Sequence, residues 1–289
     1  MKKTLFLLFA FALFSYGCSS IRLFYSNADW YLQHRINGYT SFNTRQENLI
    51  RRDVSNYMRW HRKYALPEYI TFLQNLNGAV QYGGHLDSGD IALLRAHLLG
   101  LYQKTMAPAV RPAAEILGML DAGQLKELEH NLDEENRQQL NRQFDAGHDV
   151  YLSKRADKTL NFLEWLAGDL SAEQKRKIGE MSRALPVVGD IYIRHRQENQ
   201  KKLLGLLNAH AGEQKIAAFL RTWIFSPEVT RSTQQQNEIQ AFDLASNEMI
   251  VQIRDMLTAK QKAHIHQMIS SYIDYMRAEI RKSRQDSGQ

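Results

Sequence analysis

The chain has 289 residues, 44% of them hydrophobic and 24% charged, with 16 glycines, 5 prolines and one cysteine. Those values exclude a disulfide-stapled miniprotein, a collagen-like repeat and a charge-dominated disordered chain. The formal charge is +6, and the length is enough to bury a substantial core in one large domain or two small ones.

Lys2 and Lys3 precede an apolar run from Leu5 to Phe14, and Ser15-Tyr16-Gly17-Cys18 follows. A positive start and a short apolar run read as a secretion signal, because ten apolar residues are too few to span a bilayer. Gly17 before the sole cysteine resembles the lipobox of bacterial lipoproteins, with Ser15 where that pattern prefers leucine. The resemblance implies cleavage between Gly17 and Cys18 and acylation of Cys18. An ordinary secretory signal, or a buried free thiol at Cys18, is the plainer alternative. Residues 1–17 are thus expected to be the signal peptide, 18–26 a lipidated tether and 27–289 a single helical periplasmic domain, with a sub-boundary possible near 145–149. Ser19, where aspartate commonly retains such lipoproteins at the inner membrane, implies the periplasmic face of the outer membrane. Losing Lys2 and Lys3 takes the formal charge from +6 to +4.

The body reads as all-α, a multi-helix bundle or curved array of about nine to ten amphipathic helices. Ile50, Val54, Tyr57, Met58, His61, Tyr64 and Ala65 fall on one helical stripe, with Arg51, Arg52, Arg59 and Arg62 opposite. Ile265, Met268, Ile269, Tyr272, Ile273, Met276 and Ile280 form a second stripe near the C-terminus. No segment shows sustained two-residue alternation.

A helix-start pentad recurs: an apolar residue, a cap, two arbitrary residues, then an amide or acid. It stands at Leu120 to Gln124, Leu170 to Gln174 and Leu257 to Gln261, and more loosely at Phe42 to Gln46 and Leu86 to Asp90. This is a capping box, in which the cap side chain takes the N3 amide and the N3 side chain takes the cap amide. Pro67, Pro186 and Pro227 suit first helical turns, Pro108 and Pro112 divide an apolar stretch, and Gly83-Gly84, Gly147 and Gly212 mark breaks.

The stretch Ser20 to Trp30, with Trp60-His61-Arg62 and Leu66-Pro67-Glu68-Tyr69, resembles an uncharacterised family of bacterial lipoproteins labelled domain of unknown function 6279. That likeness implies an envelope lipoprotein and supplies no catalytic residues. The pentads at 120, 170 and 257 are similar to the Leu-Thr-x-x-Gln motif of the Spy and CpxP periplasmic chaperones.

No catalytic, cofactor or metal motif stands out. His264 and His266 are two apart and turn to different sides of a helix. Glu127 and His130 have the Glu-x-x-His spacing of di-iron bundles but lack the matching partners, so a surface salt-bridging role is expected. His61 lies on an apolar stripe, as a core hydrogen-bonding residue or a buried functional imidazole. Arg51, Arg52, Arg59, Arg62 and Lys63 form one basic surface, Lys175 to Lys177 another, and Arg277, Arg281, Lys282 and Arg284 a third. They read either as solvated, paired helix faces or as contacts for anionic lipid and lipopolysaccharide phosphates. Nucleic acid does not fit the compartment. The expected function is a non-catalytic binding, scaffolding or chaperone-like role in the envelope, with an envelope protein client. The alternatives are a structural lipoprotein contacting anionic lipid and, third, an enzyme.

Overall fold

The computed structural model describes residues 25–81, 86–145 and 147–286. Gly17, Cys18, the Gly83-Gly84 break and most of the tether lie outside the described residues. The described residues are 88% helical, and no strand occurs among them. The helices are α1 (Ala28–Asn37), α2 (Thr44–Trp60), α3 (Leu66–Gln81), α4 (Ser88–Met106), α5 (Val110–Gly118), α6 (Ala122–Phe144), α7 (His148–Ala167), α8 (Ala172–Ala184), α9 (Gly189–Asn208), α10 (Glu213–Phe225), α11 (Thr233–Met256) and α12 (Ala259–Asp286). A π turn, His61–Ala65, joins α2 to α3, and a 3-10 turn, Ala107–Ala109, joins α4 to α5. Counting each joined pair once gives ten helices among the described residues.

All five pentads form capping interactions, at Asn43, Asp87, Asp121, Ser171 and Thr258. Four of their N3 glutamines do more, because they meet in pairs. Gln46 Nε2 donates to Gln124 Oε1 and to the Met119 carbonyl, and Gln124 Nε2 returns one bond to Gln46 Oε1 and one to the Ser41 carbonyl, all at 2.7–3.0 Å. Gln174 and Gln261 repeat this with the carbonyls of Met256 and Asp169, at 2.8–3.0 Å. In every case the carbonyl lies two residues before the partner's cap. Each amide group uses both donors and both acceptor positions, which a glutamate could not do. A capping box tolerates an acid at N3; this clasp requires glutamine.

The two clasps are landmarks of an internal duplication. Buried positions correspond at a spacing of 128 on α1 and α2: Ala28 with Ala156, Gln46 with Gln174, Ile50 with Ile178, Val54 with Ser182. At a spacing of 137 on α5 and α6 the pairs include Ile116 with Ile253, Gln124 with Gln261, Leu128 with Ile265 and Leu132 with Ile269. Helix packing follows the same plan. α1 lies on α2 as α7 lies on α8, α2 meets α5 as α8 meets α11, and α10 packs on α5 as α4 packs on α11. The halves also interlock, since α3 packs on α12 and α9 packs on α6. The largest core cluster accordingly draws Val110, Leu128 and Leu132 from one half, and Leu203, Leu207 and Ile216 from the other.

The halves join at residues 145–147. There Gly147, at φ 88°, opens α7, and Gly168, at φ 79°, closes it. Both angles lie where an L side chain is strained. Two expectations need correction. Pro186 lies in the extended link after α8, not in a first helical turn. Arg155 holds that link through the carbonyls of Arg183, Leu185 and Pro186. Tyr64 leaves its stripe and is 52% exposed, because the π turn rotates it outward. A sixth capping box, Ser232 with Gln235, escapes the pentad because Arg231 stands where the pattern has an apolar residue.

Candidate functional site

The π turn builds the most chemically distinctive part of the molecule. Pro67 has no N–H to offer the carbonyl four residues back, which interrupts the α-helical ladder. One turn upstream the helix widens, and the Leu66 N–H reaches the His61 carbonyl, five residues back. The widened turn sets His61 among Tyr25, Tyr57 and Tyr69, with ring centroids at 5.8, 6.0 and 5.5 Å. Tyr25 Oη and His61 Nδ1 share a hydrogen bond of 2.8 Å. Tyr57 Oη donates to the Thr105 carbonyl at 3.3 Å, and the Tyr69 hydroxyl meets the Thr105 hydroxyl, so α4 closes the cluster.

Burial controls the electrostatics. Desolvation, helped by the neighbouring Arg62 guanidinium, pulls the His61 pKa from 6.5 down to about 4. The same desolvation pushes the Tyr25, Tyr57 and Tyr69 phenols up. At neutral pH the imidazole and phenols are uncharged, so the cluster acts as a packed, hydrogen-bonded lock. Its outer element is Tyr25, the first described residue. Arg62 lies 5.5 Å over the Tyr25 ring and pairs with Asp29 at 3.5 Å, while Tyr275 of α12 meets that ring edge-on at 6.2 Å.

The five expected basic residues separate into three settings. Arg59 and Lys63 are exposed beside the cluster; Lys63 lies 5.1 Å over the Tyr64 ring. Arg62 is committed to Asp29 and Tyr25. Arg51 and Arg52 sit two turns earlier on α2, where Arg52 pairs with Asp53 at 2.8 Å. The helix that carries the C-terminal cationic cluster, by contrast, packs along α3, contacts the π turn and sets Tyr275 against Tyr25. The helix of the third basic surface thus reaches the end of the molecule that holds Arg59 and Lys63 of the first.

Glu127 corrects another expectation. Its carboxylate accepts from the Ser41 N–H at 2.7 Å, the Ser41 hydroxyl at 3.0 Å and the Thr40 hydroxyl at 3.1 Å. Those bonds hold its pKa below the usual range and brace the loop before α2, so Glu127 is a loop clamp rather than a member of a salt bridge. His266 bonds Asn77 of α3 at 2.9 Å, and His264 lies against Gly168. Sequence reasoning missed the buried Glu135, which accepts from Tyr39 Oη at 3.2 Å with Arg35 at 3.8 Å. Its sequence signal, an acid on an apolar stripe, is indistinguishable from a surface charge. Among the described residues no group of three or more His, Cys, Asp or Glu could hold a metal ion, and no helix is long and apolar enough to cross a membrane.

A second surface stands out for its lack of cover. On α4, Leu93, Leu98 and Leu99 are 71%, 53% and 53% exposed. Counted from the helix starts, Leu98 and Leu99 correspond to Trp223 and Ile224 of α10, which pack against the largest core cluster.

No curated protein and no solved structure matches the chain. One family model does, over residues 38–229, a span holding the whole first clasp, the π turn and the basic face of α2. That is two thirds of the sequence, and the chain therefore belongs to DUF6279, a family of unknown function.

Proposed function

We propose that the chain is an outer-membrane lipoprotein, acylated on Cys18, whose helical body has a non-catalytic binding or scaffolding role in the cell envelope. The observation that carries this reading is the anchorage of Tyr25. Tyr25, within the expected tether, is fastened to the π turn by His61, to Arg62 above its ring and to α12 by Tyr275. A lipid on Cys18 would therefore hold both halves of the body, rather than a free-swinging domain, close to the bilayer. Exposed Leu98 and Leu99 of α4 are the contact it offers to apolar segments of unfolded envelope proteins, since exposed apolar side chains favour contact with a partner.

The test joins address to activity. Cys18→Ser is expected to abolish fatty-acid labelling and membrane fractionation. The purified body is expected to suppress aggregation of a denatured client, and Leu98→Ser with Leu99→Ser to remove that suppression without lowering Tm. Unchanged labelling and fractionation would end the lipoprotein reading; aggregation unaffected by the wild-type body would end the chaperone-like one.

A further inference from the structure

Resting on the reading that Cys18 carries the anchor, we infer that the end of the molecule around Tyr25 is a docking surface for the anionic headgroup phosphates of the anchoring bilayer. Six residues lie between Cys18 and Tyr25, and the seven steps reach at most about 25 Å when fully extended. Because Tyr25 is fastened to the π turn, so short a tether keeps this end of the body nearest the membrane.

The residues exposed there suit an interface. Trp30 is 65% exposed and stacks on His34 at 5.2 Å, and Tyr64 is exposed beside Lys63. Tryptophan and tyrosine favour the headgroup level of a bilayer, and nearby cations are drawn to its phosphates. Arg59 and Lys63 come from the first half, and Arg281 and Lys282 from the last turns of α12. Residues 25–34, 59–64 and 274–286 together carry seven Lys and Arg against four Asp and Glu, so the excess is positive. Arg62 takes no part, because Asp29 and Tyr25 already occupy it.

The test is vesicle flotation at low salt with the chain from Ser19 onward, which keeps every described residue and lacks the lipid. Binding is expected to phosphatidylglycerol-containing vesicles and not to phosphatidylcholine alone, and to weaken as salt rises. Each cation contributes about fivefold to such partitioning, so Arg59→Gln, Lys63→Gln and Arg281→Gln together are expected to lower it about a hundredfold. The same loss of charge on α9 and α10, through Lys201→Gln, Lys202→Gln and Arg221→Gln, is expected to leave it nearly unchanged. No binding to the anionic vesicles overturns the inference, as does an equal loss in the two triple variants, which would mean attraction by bulk charge. Failure of the anchor itself reads out separately, in Cys18→Ser fractionation of the full chain.

Discussion

The two halves share a clasp but differ just downstream of it. In the first, α2 runs through the π turn into α3 without a break, and the widened turn packs a histidine among tyrosines. In the second, the helix stops at Ala184 and an extended link through Pro186 leads to α9, its carbonyls held by Arg155. A proline defeats the α-helical ladder in both places, yet the outcomes differ. Where aromatic rings line the turn, the chain stays helical and widens; where an arginine supplies donors, it breaks. A second contrast lies on the closing helices. Glu135 and Asn136 are buried in the first half, whereas Tyr272 and Ile273 fill the corresponding places in the second. The first half spends polar groups where the second uses apolar volume, and it also holds the fastened end of the chain. The shared plan supplies the frame, and the departures from it mark the specialised end.

The clasps give the largest expected effect. Gln46→Ala leaves the Met119 carbonyl, the Asn43 N–H and half of the Gln124 amide without partners in a buried place. The expected loss is about 3 kcal/mol, read as a fall in Tm of about 8 °C. Gln174→Ala is expected to match it. A much smaller loss in one half would mean that the clasps, though alike in geometry, are unequal in energy.

The histidine cluster, present in the first half alone, gives a pH signature. Above about pH 6.5 His61 is neutral in both folded and unfolded chains, and its contribution to stability is constant. Between pH 6.5 and 4 the unfolded chain takes up a proton that the folded one refuses, so stability falls as pH falls, by up to about 3 kcal/mol. Denaturant melts of wild type and His61→Gln across that range are expected to converge as the wild type loses its advantage. Parallel curves would show that the imidazole is not held neutral.

The smallest effect belongs to the sixth box. Gln235 makes only local capping bonds at an exposed helix start, so Gln235→Ala is expected to cost under about 1 kcal/mol. A loss equal to that of Gln46→Ala would show that the pairing of glutamines adds nothing to simple capping.

Much of the fold was legible because its signals are local. A capping box spans four residues and an amphipathic stripe repeats within two turns, so caps, helices and the all-α class could be read from the order of residues alone. The clasps could not, since Gln46 and Gln124 stand 78 positions apart, and no periodicity reports who meets whom across a core. The apolar first residue of the pentad was nonetheless informative: Phe42, Leu120 and Leu170 pack into core clusters, whereas Arg231 instead lies 5.4 Å over the Tyr192 ring. Of the candidate site, the Trp60-His61-Arg62 and Leu66-Pro67 motifs were visible. The π turn was not, because whether a proline widens or breaks a helix depends on tertiary neighbours.

The exchange of α3 and α12 between halves sets a condition on biosynthesis. Ile70, Leu73, Leu76 and Val80 are covered by Ile269, Ile273 and Met276 of α12, which is made about two hundred residues later. A product terminated before residue 259 would display that whole strip bare and leave Gln174 without its mate. Such a product is expected to be cut by proteases faster than the chain that includes α12, because the surface it leaves unburied is apolar.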